Sequence, residues 1–94
     1  MTRVILSSKF KRSIRKFTRR DDRLLAKIEE TIAQLSEDSA NPALGTHKLE
    51  GKLSGLLACS CGYDCRIVFS IEMAEDSEEM VIVLLNVGTH NEVY

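Results

Sequence analysis

The 94-residue chain has no tryptophan, a single proline, five glycines and two histidines, and its charged groups cancel to a net −1. It lacks any apolar run near the roughly 18 residues that a membrane-crossing helix needs, and its N-terminus shows no secretory-leader pattern. These absences lead to the expectation of a soluble, cytoplasmic protein. No internal repeat, low-complexity tract or composition shift divides the chain. Residues 1–94 are therefore expected to form one domain whose modest core draws on every apolar segment. Cysteine is scarce and clustered: all three fall within CSCGYDC, residues 59–65. An odd count excludes complete pairing, and a reducing interior disfavours disulfides.

The near-neutral total hides an asymmetry. Through residue 23 the chain carries nine Lys and Arg against two Asp, a local balance of +7, whereas the remainder holds four basic against twelve acidic residues, a balance of −8. A basic helix is commonly a solvated face. It is also the footprint a polyanion or an acidic partner would use, because the local field steers a ligand more than the whole-chain sum does.

Hydrophobic spacing organises the rest. Val4, Ile5 and Leu6 read as a strand, and Ser7 or Ser8 as the cap of a helix whose apolar stripe is Phe10, Ile14 and Phe17. Asp21 and Asp22 signal a second start, followed by Leu24, Ile28, Ile32 and Leu35 and an end near Glu37 or Asp38. Residues 39–55, with the only proline and three of the five glycines, read as a long loop carrying His47, Lys48 and Lys52. Three strands are expected at 56–61, 65–71 and 80–87, joined by the tight GYD turn and the acidic EMAEDSEE turn. The order β-α-α-β-β-β implies an α+β fold, a two-helix hairpin packed on one face of a mainly antiparallel four-stranded sheet, with the other face left open. Side-chain alternation puts Cys65, Ile67, Phe69 and Ile71 towards the helices, and Arg66, Val68 and Ser70 on the opposite side.

The cysteines admit three readings. Zinc ligands come as Cys-x₂₋₄-Cys with a second pair elsewhere, and Cys59-x-Cys61 is too closely spaced for that, although His47 is available as a further ligand. A Cys61–Cys65 disulfide would span a turn and needs an oxidising setting. The reading adopted is that all three are compact apolar side chains facing the helices.

Three segments, HKLEGKLSG (47–55), GYDCRIVFSI (62–71) and VGTHNEVY (87–94), taken in that order, resemble the RelE/ParE superfamily of bacterial toxins, and within it the RelE/YafQ branch of ribosome-dependent mRNA endonucleases. The resemblance covers nearly the whole chain. It implies an active-site histidine at His47, the family's acidic turn position at Asp64, the phosphate-contacting arginine at Arg66, the catalytic histidine at His90 and the terminal aromatic at Tyr94. It also implies a cognate antitoxin as partner, mRNA in the ribosomal A site as substrate, and operator DNA bound through the antitoxin.

Such enzymes need no metal or cofactor. A base takes the proton of the 2′-hydroxyl beside the scissile phosphate, the oxygen attacks phosphorus, and an acid protonates the departing 5′-oxygen. Histidine suits both roles at neutral pH. On this pattern His90 is the acid, His47 or Asp64 the base, and Arg66 the charge stabiliser. Tyr94 stacks on or orients a base, and Lys48 and Lys52 contact backbone phosphates. Ser60 stands where YafQ-like enzymes carry a second histidine, Cys65 where they carry an aromatic and Asn86 where they carry an arginine. RelE's lysines on the first hairpin strand are missing too. The active face is poorer in positive charge as a result, which implies weakened or altered cleavage. The alternatives are a catalytically silent binding module such as an antitoxin-bound co-repressor, the gyrase-targeting ParE branch, which lacks the His90 and Tyr94 set, and a small cysteine metal-binding protein.

Overall fold

In the computed structural model, which describes residues 1–94, Ser7 marks the passage from strand β1 (Arg3–Leu6) into helix α1 (Ser8–Phe17). Its hydroxyl accepts the Phe10 backbone N–H at 3.0 Å, taking up a donor that the first helical turn leaves free. The chain reverses at Arg20, which takes a φ of 61°. Asp21 then caps helix α2 (Asp22–Glu37) by accepting the Leu24 N–H at 3.0 Å. Both helices end where the apolar spacing ends.

The remaining elements are β2 (His47–Lys48), β3 (Leu57–Gly62), β4 (Cys65–Met73), β5 (Met80–Gly88) and a short helix α3 (His90–Val93), with 3₁₀ turns at Pro42–Leu44 and Gly51–Leu53. They build a mixed sheet in the order β1-β5-β4-β3-β2, with β1 parallel to β5 and the other neighbours antiparallel. The sheet thus has five strands instead of the expected four. β2, two residues long, is too short to show alternation, and α3, four residues long, too short to show a helical period.

Helix α1 lies on β5 and helix α2 on β3. Phe10, Ile28 and Leu35 are fully buried there against Cys59, Ile67, Phe69, Ile82 and Leu84. At roughly 1.5–3 kcal/mol for each large side chain removed from water, this face supplies most of the hydrophobic stabilisation. The face expected to be open is partly covered. Ala58, Val68 and Val93 form a smaller cluster with Leu49 and Leu56, so α3 and the segment before β3 shield the middle of that side. Two departures from simple alternation follow from strand geometry. Val68 pairs with Asn86 and Phe69 with Leu84, leaving Leu85 as an extra residue at a bulge. Ile71, expected under the helices, is 40% exposed because β4 runs on past their cover.

The cysteine expectation needs correction. Cys59 is a free, buried thiol as anticipated, but Cys61 and Cys65 are joined as a disulfide. A register shift between Ser60 and Gly62 sets Gly62 opposite Cys65 and brings the Cys61 and Cys65 Cα atoms to 5.0 Å, inside the range a disulfide spans. Gly62 permits that closure with a φ of 139°, a conformation that side-chain-bearing residues rarely adopt. No helix is long and apolar enough to cross a membrane.

Candidate active site

The predicted site residues mostly converge where β2, the start of β4 and α3 meet. His47 lies opposite Ala58 in the β2–β3 pair and so shares the face of the small cluster, away from α1 and α2. Its Nδ1 is 3.2 Å from the Gly45 carbonyl and its Nε2 is 3.4 Å from the Tyr94 hydroxyl. A carbonyl can only accept, so the bond to Gly45 assigns the proton to Nδ1 and leaves the lone pair on Nε2. Gly45 closes the 3₁₀ turn before β2 in a left-handed conformation, φ 61°, with its carbonyl within reach of Nδ1.

Tyr94 is the hub. The His90 ring meets it edge-on with centroids 4.5 Å apart, and the His47 ring does so at 6.3 Å. Partial burial raises the Tyr94 pKa above its ordinary value, with the nearby Arg66 charge opposing, so the phenol is a protonated donor at neutral pH. α3 presents His90 and Tyr94 at its two ends. Thr89 caps it by accepting the Glu92 N–H at 3.3 Å, while the Glu92 carboxylate accepts the Thr89 N–H at 2.9 Å. Those bonds hold the Glu92 carboxyl below its ordinary pKa.

Arg66 stands opposite Ser60 on one side and Gly88 on the other, on the face of Val68. One terminal nitrogen, Nη1, donates to the Cys65 carbonyl at 2.8 Å, the Gly62 carbonyl at 3.2 Å and the Ser60 hydroxyl at 3.5 Å. The guanidinium is therefore anchored to the hairpin through one nitrogen, with its other donors left for a ligand. Asp64, at φ 49° in the turn, has one of its two carboxylate oxygens engaged. Its Oδ1 accepts the His90 backbone N–H at 3.0 Å.

The two lysines separate. Lys52 lines a shallow cavity of about 380 Å³ with Leu49, Glu50, Leu53 and Tyr94, next to the site. Lys48 pairs with Leu57, whose side chain packs into the main core, so it projects to the face opposite His47. Asn86 is also tied down: its Oδ1 accepts from the Ser13 hydroxyl at 2.8 Å and from the Val87 N–H at 3.0 Å, linking β5 to α1. Elsewhere Arg12, Arg15, Lys16 and Arg19 line a trough along α1 and the turn that follows it, with no other residue contributing.

The sequence reading missed Ser60 as an anchor for Arg66, and Thr89 and Glu92 as the cap of α3. Only the second was signalled locally, by the Thr-x-x-Glu spacing. No three His, Cys, Asp or Glu side chains converge as a metal centre would require. Cys59 in particular is an unsuitable ligand, because burial pushes its thiol pKa up to about 12.

A family model described as bacterial toxin of type II toxin–antitoxin system, YafQ, matches residues 2–94. No curated protein matches the sequence. Among solved structures the chain is similar to a YoeB/ParE toxin from Agrobacterium tumefaciens, at 15% identity and TM-score 0.76 over 95% of this chain and 99% of that one. It is similar to YafQ from E. coli at 11% identity and TM-score 0.76, over 100% and 99% of the two chains. A third similarity, to the toxin–antitoxin complex RelBE2 from Mycobacterium tuberculosis, has 21% identity and TM-score 0.71 over 95% and 98%. At these identities the structures show a shared RelE-like fold.

Proposed function

Since the chain belongs to the YafQ family of bacterial toxins of type II toxin–antitoxin systems, we propose that it is a metal-independent endoribonuclease that cuts mRNA on the ribosome and so stops translation. The observation that carries this reading is the pair of imidazoles gathered around Tyr94, with Arg66 anchored beside them. His47, with its lone pair on Nε2, takes the proton of the 2′-hydroxyl, which displaces the Tyr94 hydroxyl as its partner. The 2′-oxygen attacks phosphorus, and the 5′-oxygen leaves with a proton from His90. The products are a 2′,3′-cyclic phosphate and a 5′-hydroxyl. Arg66 neutralises charge that builds up on the phosphoryl oxygens, and Tyr94 offers its ring to a base.

Among the paired positions of β2 to β5 the site face holds a single guanidinium and no lysine, with Arg3 away on the edge strand β1, so the ribosome supplies much of the substrate's positioning. The Arg12–Arg19 trough gives α1 a surface for nucleic-acid backbone or for the acidic segment of a cognate antitoxin. A relative of this fold is found with its antitoxin in the RelBE2 complex, which supports such a partner here, and operator DNA would then be reached through the antitoxin.

The test is cleavage of mRNA on programmed ribosomes by wild type and His90→Ala. Loss of a general acid lowers the rate by about 10²–10⁴. Equal cutting by both proteins would remove His90 from the reaction, and no cutting by wild type would leave a silent antitoxin-binding module as the better account, a reading that the sparse charge of the site also favours.

A further inference from the structure

We propose that Asp64 is a positioning residue for His90 and not the general base. The inference rests on the ribonuclease reading and divides the labour within it. Asp64 sits in the two-residue turn between β3 and β4, and His90 opens α3, 26 positions further along the chain. The bond from the His90 N–H to Asp64 Oδ1 joins the two segments that carry Arg66 and His90. A four-residue helix has almost no intrinsic stability, so the direction of its first side chain depends on what holds its leading N–H groups. Thr89 satisfies the Glu92 N–H, Glu92 satisfies the Thr89 N–H, and Asp64 satisfies the His90 N–H. Without Asp64 that set is broken at the residue whose ring does the chemistry.

The backbone of Asp64 fits this role. Its φ of 49° turns the side chain back across the hairpin end, and Asp is among the few residues that tolerate that conformation. The Asp64 carboxylate thus already has a partner on the main chain. His47 has the opposite character: Gly45 fixes its proton on Nδ1 and leaves Nε2 facing the Tyr94 hydroxyl. Of the two candidate bases, only His47 aims an available lone pair at the group that substrate would replace.

Single-turnover cleavage on programmed ribosomes, followed against pH, separates the roles in Asp64→Asn and Asp64→Ala. The amide oxygen of Asn accepts the same bond without charge, so Asp64→Asn is expected to retain cleavage within about threefold of wild type, with the acidic limb of the profile unmoved. Asp64→Ala is expected to lose about 10- to 100-fold, the size of a lost hydrogen bond to a charged group, again with the limb in place. A base role predicts the reverse: Asn fails as badly as Ala and the acidic limb disappears. That result overturns the proposal.

Hydrogen exchange at the His90 amide gives a readout independent of activity. It should quicken in Asp64→Ala and stay near wild type in Asp64→Asn. Unchanged exchange in Asp64→Ala overturns the positioning role even if the RNase reading stands. If wild type cuts no RNA the functional reading fails, and the exchange comparison still decides whether Asp64 holds His90.

Discussion

The two faces of the sheet differ in what they bury and in what they carry. Beneath α1 and α2 a continuous cluster runs from Phe10 through Phe69 to Leu84, whereas the opposite face buries only Ala58, Val68 and Val93 as a group. Stability is concentrated on the first face, and the second carries His47, Arg66, His90 and Tyr94. The sparse packing there is what leaves the imidazoles and the guanidinium open to a large ligand. The comparison also explains how such an exposed site can hold its shape. α3 and the β3–β4 turn are fixed by directed hydrogen bonds at Asp64, Thr89 and Glu92, with Val93 as the one buried anchor of α3.

The division can be broken by paired substitutions. His90→Ala should lower mRNA cleavage by about 10²–10⁴ while leaving the urea midpoint unchanged, because the side chain it removes is exposed. Phe69→Ala should do the opposite, costing about 3–5 kcal/mol in equilibrium unfolding by opening a cavity at a fully buried ring. A folded, fully stable Phe69→Ala protein would mean that the main core lies elsewhere.

The disulfide sharpens the contrast, since it fastens the helix-side floor of the hairpin whose turn holds Asp64. Reduction of Cys61–Cys65 opens a short loop and frees the unfolded chain, and should lower stability by about 2 kcal/mol in urea titrations with and without a dithiol reductant. Cys59 should resist alkylation in the native state near neutral pH, since it is buried and burial pushes its thiol pKa up to about 12. Rapid labelling before unfolding would count against the burial described.

The smallest effect is a pH response confined to α3. The Glu92 carboxyl lies below its ordinary pKa of 4.5 in the folded protein, chiefly through the Thr89 backbone bond. Its contribution is complete above that value and is lost as the pH falls through the lowered folded-state pKa. As the pH falls below about 4.5 the Thr89 amide should lose exchange protection before the central strands do, and Glu92→Gln, which keeps an acceptor without a charge, should flatten that dependence. Simultaneous loss across the sheet would show that the cap has no separate titration.

Apolar patterning made both long helices, four of the five strands and the inward set Cys65, Ile67 and Phe69 legible, because burial imposes a pattern on neighbouring residues. The candidate site residues were picked out as types at characteristic places in the chain. Their directions were not. Lys48 and His47 are adjacent in sequence, and only the pairing of β2 with β3 sends Lys48 to the far face. Asn86 looked like a vacant site position and is instead a tie between β5 and α1.

Local pattern, then, was enough to establish which segments are helix or strand, which side chains they bury, and that two histidines and a tyrosine accompany a basic first helix. Folding alone decided that Tyr94 meets His47 across 47 positions, that Asp64 meets the His90 amide across 26, and that two of the cysteines join. These outcomes depend on strand register and on contacts between distant segments, and nearest-neighbour chemistry carries no information about either.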